Sequence, residues 1–438
     1  MEERFYGREN ELKLLNQIRI TSEKSARFTL LTGRRRIGKT TLLKKAFEGR
    51  EYTYLFVSRN SEAVLCQQFQ KAITESLNLD IAGQAVRFSD LFRFLMKESC
   101  KRPITVVIDE FQDFNYVNQA IFSEIQNIWD EFKNQSKMNL IVCGSIFTLM
   151  KTIFEDAKEP LFGRITDRIE LKPFPIKVIK AILKDNNPSF ENEDLLCLYL
   201  LTGGVARLVA DLMDRNACTK EKMLESITQS SSPFLTEGRD TLILEMGKEY
   251  GIYFSILLLI ANGKKTQSEI DSIIEKNTGT YLKNLCESFR FINQTRPAFS
   301  KPNSRNIRWE ISDNYLNFYF RFIYPNQDLV EIGKLDMLRK AISIAYDTYS
   351  GKILERYFKL KISEEEDVTS IGAWWDRKGE NEIDIIAINR FEKAASIIEV
   401  KRNEEKFSMK LLESKSELIR PMLDGYSIKL QCLSMSDM

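Results

Sequence analysis

Between residues 27 and 172, short apolar runs alternate with stretches in which apolar side chains recur every three or four positions. The runs at 28–32, 53–57, 104–109, 139–144 and 166–171 show little polar alternation, as strands covered on both faces do, and so predict a parallel sheet. The periodic stretches between them supply the covering helices, which makes this region an α/β core. Pro173 and Pro175 then open a purely helical stretch to about 235. A helix-helix-helix-hairpin pattern follows from 240 to 325. Its parts are an apolar helix from Lys248 to Ala261, a second helix opened by the capping box Thr266-Gln267-Ser268-Glu269, a third with Leu282, Leu285, Cys286 and Phe289 at helical spacing, and a hairpin over 291–311. After Pro325-Asn326 the pattern returns to α/β: a helix over 351–361, strands over 369–375, 382–388 and 395–401, a helix over 407–419 and a strand over 426–433. The predicted domains are 1–172, 173–235, 236–325 and 326–438, the last with the order αβββαβ.

At 438 residues and 43% hydrophobic, the chain can fill several cores, in keeping with those divisions. Its 64 basic and 62 acidic residues are mixed along the length, so bulk charge points to no polyanionic partner. Seven cysteines, with no CxxC pair and several in apolar runs, read as reduced core residues. Met1-Glu2-Glu3-Arg4 opens no apolar leader, and no run approaches the length of a membrane span, so the expectation is a cytoplasmic protein with no membrane partner. Histidine is absent. That excludes Ser-His and Cys-His catalysis and His-ligated zinc, and leaves carboxylates, Lys, Arg, hydroxyls and bound metal as the available chemistry.

Gly33-Arg34-Arg35-Arg36-Ile37-Gly38-Lys39-Thr40 lies between a predicted strand and a predicted helix starting at Thr41, the setting that a phosphate-binding P-loop requires. The backbone of Gly33, Arg36, Ile37, Gly38, Lys39, Thr40 and Thr41 is the candidate phosphate cradle, while the side chains of Arg34, Arg35 and Arg36 point away. Lys39 would reach the terminal phosphates and Thr40 would offer its hydroxyl to Mg2+. Asp109 and Glu110 end the strand at 104–109, as in a Walker B motif: Asp109 to hold Mg2+ through water, Glu110 to polarise the water that attacks the γ-phosphate. That pair makes hydrolysis, rather than binding alone, the expected chemistry. Ser145, just past the strand at 139–144, is a candidate water or phosphate sensor, with an ordinary helix cap as the competing reading. Arg164 could stabilise transition-state charge across an interface between copies of the chain, in a homo-oligomer, with a plain surface arginine as the alternative.

In the C-terminal region, strand alternation puts Glu399 and Lys401 on one face and Asp384 on a face with Glu382. A hairpin pairing Ile388 with Ala395 would set Asp384 directly opposite Glu399, a costly meeting of like charges unless a cation lies between them. Asp384, Glu399 and Lys401 resemble the constellation of PD-(D/E)XK nucleases, in which carboxylates bind Mg2+ and the lysine activates water or stabilises the pentavalent phosphate. Glu355, on the preceding helix, could complete the metal site; a solvated sheet edge rich in Glu and Lys is the plainer reading. The helices before it have helix-turn-helix layout, with Thr280, Lys283, Asn284 and Glu287 on the expected outer face and Arg296, Lys301, Arg305 and Arg308 on the hairpin as a wing. Contact with DNA phosphates and a protein-interaction role both fit that set.

Phe5-Tyr6-Gly7-Arg8-Glu9-Asn10-Glu11-Leu12, the loop at 33–40, Asp109-Glu110-Phe111-Gln112, Cys143-Gly144-Ser145 and Leu161-Phe162-Gly163-Arg164 together resemble the archaeal-type ATPase family of AAA-related P-loop proteins, over the whole chain. The resemblance implies that Phe5, Tyr6, Gly7 and Arg8 lie near the adenine, which makes ATP the expected nucleotide. The family's later Gly-Gly-hydrophobic-Pro motif stands here as Gly203-Gly204-Val205-Ala206-Arg207, with alanine in place of proline. Residues 374–384 and 320–326 resemble the C-terminal domain found with these ATPases and regarded as nuclease-like. The implied fold is α/β: a P-loop NTPase parallel sheet with a helical lid, a winged-helix domain and a C-terminal αβββαβ restriction-endonuclease-like domain. The implied function is ATP binding and hydrolysis controlling a DNA-directed, Mg2+-dependent nuclease-like domain. An ATP-driven regulatory or signalling switch and a DNA-binding loader without cleavage are the alternatives.

Overall fold

Five strands of the first 172 residues form one sheet in a computed structural model that describes residues 4–246 and 250–438. The chain divides into two compact units, 1–172 and 173–438. In the first, β1 (Arg27–Gly33), β2 (Thr53–Phe56), β3 (Ile104–Asp109), β4 (Met138–Cys143) and β5 (Asp167–Leu171) run parallel in the order β2-β3-β4-β1-β5. Each predicted strand is present to within one residue. Every residue of β3 and β4 is buried, because both strands are interior to the sheet and helices pack on its faces; that burial is why their sequences read as unbroken apolar runs. The register sets Leu31 beside Cys143 and Ile108 beside Val142, so β1 and β3 end at the same edge with β4 between them. That is the carboxyl edge, where ligands of parallel sheets bind.

Directly after the β3 carboxylates, Phe111 enters the core. Its ring lies 5.6 Å from those of Phe114 and Phe122 and 5.5 Å from that of Phe154. Burying Phe111 completely fixes the turn that carries Glu110, and truncating such a ring costs about 3–5 kcal/mol.

The second unit opens with helices Ile176–Asn186, Asn192–Thr202, Ala206–Asp214 and Lys220–Ile227, in the stretch predicted to be helical. Helices Tyr250–Ala261, Gln267–Ile274 and Gly279–Lys283 and the antiparallel pair β6 (Ile292–Thr295) and β7 (Arg308–Ile311) then supply three helices and a hairpin. Lys248, the expected first residue of that set, lies outside the described residues. The Thr266–Glu269 capping box forms as predicted, each side chain accepting from the other's backbone amide. One long helix, Leu335–Glu365, precedes β8 (Ser370–Trp375), β9 (Glu382–Asn389) and β10 (Ala394–Val400); helix Met409–Ile419 then crosses to β11 (Ser427–Leu433). The sheet order is β11-β10-β9-β8, antiparallel except for β10 and β11, and the order of elements is αβββαβ. The long helix begins 16 residues before its predicted start at 351, since Leu338, Ile342, Tyr346 and Tyr349 continue its buried stripe past Gly351. Among the described residues no helix is long and apolar enough to cross a membrane.

Candidate functional site

Gly33 leaves β1 at φ 153°, and a Cβ there would sit 2.8 Å from the Leu171 carbonyl on β5. Only glycine lets the chain turn so close to the neighbouring strand. Arg36 (φ 64°) and Gly38 (φ 96°) then turn the backbone through left-handed conformations before helix Lys39–Ala46 begins. Such turns aim successive amides inward, and the helix start adds positive potential. Lys39 is buried, and its ammonium donates to the Gly33 and Arg34 carbonyls at 2.7 and 3.3 Å, folded onto the loop. Thr40 Oγ1 lies 3.5 Å from Asp109 Oδ2, so a hydroxyl and a carboxylate, both hard oxygen donors suited to Mg2+, converge from the helix start and the end of β3.

Asp109 is held from three further sides. Its Oδ1 accepts from Cys143 Sγ at 3.2 Å and from the Glu110 amide at 2.9 Å, while Tyr54 on β2 donates its phenol to Oδ2. Burial and then Asp109 push the Tyr54 phenol far above its ordinary range, so it stays a donor. Sequence reasoning missed Tyr54, which a strand pattern alone marks only as apolar filling.

Glu110 takes φ 51°, a left-handed conformation that costs a side-chain-bearing residue about 1–3 kcal/mol. Its Oε2 accepts from Gln112 Nε2 at 2.6 Å, Ser145 Oγ at 2.8 Å and the Ser145 amide at 3.2 Å. Ser145, read as a sensor of phosphate or water, is thus bonded to the glutamate itself and aims it. Gly144 makes room for this, because a Cβ there would overlap Gln112 Oε1 and approach Met150 Sδ to 2.6 Å.

Arg8, in the segment expected near the base, caps helix Glu9–Ser22 at φ 77° and donates to the Lys172 carbonyl at 2.7 Å and, more weakly, to the Ile37 carbonyl at 3.5 Å. It braces the back of the phosphate loop. Arg164 lies before β5, at the edge of the sheet opposite the loop, and pairs with Asp130 at 3.2 Å. That position removes it from the phosphate site of its own chain.

In the second unit β9 and β10 pair with Ile388 against Ala395, the predicted register, and this brings Asp384 opposite Glu399. Asp384 Oδ2 accepts from the Val400 amide at 2.8 Å and lies 4.0 Å from Lys401 Nζ. Glu399 is 7% exposed; Lys401 reaches its Oε1 at 2.8 Å and Lys415, from helix Met409–Ile419, lies 3.2 Å from both oxygens. The like charges expected to demand a metal are therefore already balanced by two ammonium groups. Burial lowers the Lys401 ammonium, but the bond and charge of Glu399 outweigh it and hold it above its usual range. Burial, and then the charge of Asp384, raise the Glu355 carboxyl; Asp384 is raised chiefly by burial. Among the described residues no group of three or more His, Cys, Asp or Glu side chains gathers at metal-binding spacing. Lys415 was missed because a lone lysine on an amphipathic helix carries no signal until the sheet is built.

Four of the residues assigned to DNA contact are otherwise engaged, Lys283 and Glu287 pairing with each other at 3.9 Å. Arg308 pairs with Glu382 at 2.7 Å and lies 4.2 Å over the Trp375 ring. Asn284 donates to Tyr253 Oη at 3.2 Å, turned inward where the third helix winds into a π-helix at Asn284–Ser288 and shifts its faces. Arg296, Lys301 and Arg305 remain exposed.

A family model described as an ATPase domain predominantly from Archaea matches residues 5–212, and a second, of archaeal and bacterial proteins of unknown function, matches residues 319–413. An uncharacterized protein of Methanocaldococcus jannaschii, MJECL04, is 30% identical over 407 residues, covering 91% of this chain and 87% of that protein. A second uncharacterized protein of that organism, MJ0424, is 37% identical over 68 residues, or 16% of this chain and 61% of its own. Among solved structures, the Walker-type ATPase PABY2304 of Pyrococcus abyssi superposes with a TM-score of 0.55 at 19% identity, over 73% of this chain and 97% of its own.

Proposed function

The chain belongs to the archaeal-type P-loop ATPase family, and from that membership we propose that its ATP cycle controls a DNA-directed, Mg2+-dependent nuclease-like domain at its C-terminus. The loop at 33–40 takes the phosphates of ATP, with Lys39 leaving the Gly33 and Arg34 carbonyls for the terminal ones. Thr40 and Asp109 would hold Mg2+, which would neutralise charge on the phosphates. Glu110, steadied by Ser145 and Gln112, polarises the attacking water. Phe5, Tyr6 and Gly7 face the base, and Arg8 braces the loop. In this reading Arg164 serves a neighbouring copy of the chain, and the free cysteines fit a cytoplasmic setting.

The nuclease-like part rests on one observation, the β9–β10 register that brings Asp384 opposite Glu399 with Lys401 beside both. Here Asp384 and Glu399 would take the metal, Lys415 releasing Glu399, while Lys401 orients water at the phosphodiester. A second reading is favoured by the saturation of Glu399 by Lys401 and Lys415: a domain that binds without cutting, in a regulatory switch or a loader driven by ATP. One assay separates the two. Full-length protein with ATP and Mg2+ or Mn2+ is incubated with single-stranded, duplex and branched DNA, and cleavage lost in Asp384→Asn and Glu399→Gln supports the first reading. DNA left intact under every metal condition supports the second.

A further inference from the structure

The second unit contains a cavity of about 340 Å³, at the small end of ligand-site volumes. Lys265, Arg308 and Arg321 line it from the helix-and-hairpin region, and Lys352, Arg356 and Lys359 line it from the long helix, with Glu355 and Asp384 on the same walls. Arg308 is neutralised by Glu382, and Arg356 has Asn314 at 3.3 Å and Glu310 at 3.8 Å. The others are not so matched. Lys265, Lys352 and Lys359 make no side-chain hydrogen bond or ion pair among the described residues, and Arg321 bonds only the neutral Asn262. Burial, followed by the charge of Lys265, lowers the Lys352 ammonium; Glu355 pulls it up, and Arg321 lowers it again. Lys265 and Arg321 thus line one side of the cavity and Lys352 the other, and both of the former act on Lys352 as like charges. Tyr349 lines the same cavity, is 8% exposed, and has a buried hydroxyl with no hydrogen-bond partner. A buried orphan donor carries a desolvation cost unless an acceptor arrives.

We propose that this cleft binds a backbone phosphate of a nucleic-acid strand, with Lys265, Arg321 and Lys352 taking its oxygens and Tyr349 adding a neutral donor. The proposal rests on the DNA-directed reading for the source of the phosphate and names the residues that would seat it beside Glu355 and Asp384. A phosphodiester supplies the missing negative charge and several acceptors at once, which neither a neutral ligand nor a metal cation does. Lys265 and Arg321 come from the region before residue 325 and Lys352 from the helix after it, so neither part holds the site alone. The helix-and-hairpin region then acts as one wall of the strand's seat, and its third helix need not read bases.

The test is fluorescence anisotropy of labelled single-stranded and duplex oligonucleotides on the full-length protein, in EDTA so that nothing is cut, across a range of salt. Lys265→Gln/Arg321→Gln/Lys352→Gln is expected to weaken strand binding about tenfold or more and to reduce the slope of log K against log salt by at least about one. Lys265→Arg/Lys352→Arg is expected to restore binding. Should the triple variant lose its cooperative melt, the single substitutions Lys265→Gln and Arg321→Gln are read instead, each expected to give a several-fold loss. Unchanged affinity and slope would overturn the proposal. So would displacement of the strand by equimolar inorganic phosphate or mononucleotide, which would make the ligand a free phosphate. If the triple variant loses strand binding while no metal condition produces cleavage, the nuclease reading fails and the phosphate seat stands. If cleavage is intact in the triple variant, the seat fails and the nuclease reading stands.

Discussion

Removing the Ser145 hydroxyl separates a residue that senses phosphate from one that aims the Glu110 carboxylate, the proposed base. In Ser145→Ala, Glu110 Oε2 keeps the Ser145 amide at 3.2 Å and Gln112 Nε2 at 2.6 Å but loses the hydroxyl at 2.8 Å. A hydrogen bond to a charged group is worth about 1.5–3 kcal/mol, and the two surviving bonds retain part of the alignment, so the loss falls toward the lower end. At about 1.4 kcal/mol per decade, kcat for ATP hydrolysis is expected to drop about 10-fold to 30-fold. ATP affinity should stay within about twofold, because the hydroxyl touches the glutamate and not the loop at 33–40. Phosphate release under saturating ATP measures the first quantity, and titration with a fluorescent ATP analogue the second. A cycle with Glu110→Gln sharpens the test: if Ser145 acts through Glu110, adding Ser145→Ala to Glu110→Gln should change kcat less than about twofold. The reasoning is refuted if kcat is unaffected by Ser145→Ala. It is also refuted if the two substitutions multiply, or if the variant loses its discrimination between ATP and ADP while Glu110 chemistry persists.

Other expectations follow from the same geometry. Lys39→Ala should abolish measurable ATP binding or turnover in the same assays; retention of both would remove the loop from the reaction. Gly144→Ala should lower kcat about as much as Ser145→Ala or more, since the new methyl group displaces Gln112 from Glu110, and wild-type turnover would show that Gln112 has no part in holding it. Arg164→Ala should lower turnover only where copies of the chain associate, so a rate per chain that does not depend on protein concentration in the wild type, combined with full activity of the variant, would assign Arg164 to the Asp130 pair alone. Glu364 accepts from the Ile176 amide at 3.1 Å, and burial raises its carboxyl above the ordinary range. With the folded value above the unfolded one, its contribution to stability declines as pH rises from the unfolded value through the folded one. Glu364→Gln should flatten that part of the thermal-midpoint profile, and an identical slope in wild type and variant would refute the assignment.

Much of this protein was legible in the chain because the signals are local. A parallel strand buried on both faces must be written as an apolar run, so all five strands of the first sheet could be read to within one residue. The glycines at 33 and 38, Lys39 and Thr40, and the acids ending β3 are fixed by backbone geometry over a few residues, and their spacing survives translation into three dimensions. The register of β9 and β10 was also readable, since the period of two leaves few pairings that bury one face. What the tertiary structure alone decided is what each polar group meets. Ser145 turns toward Glu110, Tyr54 crosses from β2 to Asp109, and Lys415 arrives from a later helix to balance Glu399, none of which spacing along the chain encodes. Arg308 illustrates the reverse case: as a charge on a hairpin it looks free for phosphate, and Glu382 and Trp375 occupy it. Secondary structure follows from side chains and their near neighbours, whereas a charge's role depends on partners tens or hundreds of residues away. Sequence therefore identified the chemistry available to this protein, and folding determined which partners hold each of those groups in place.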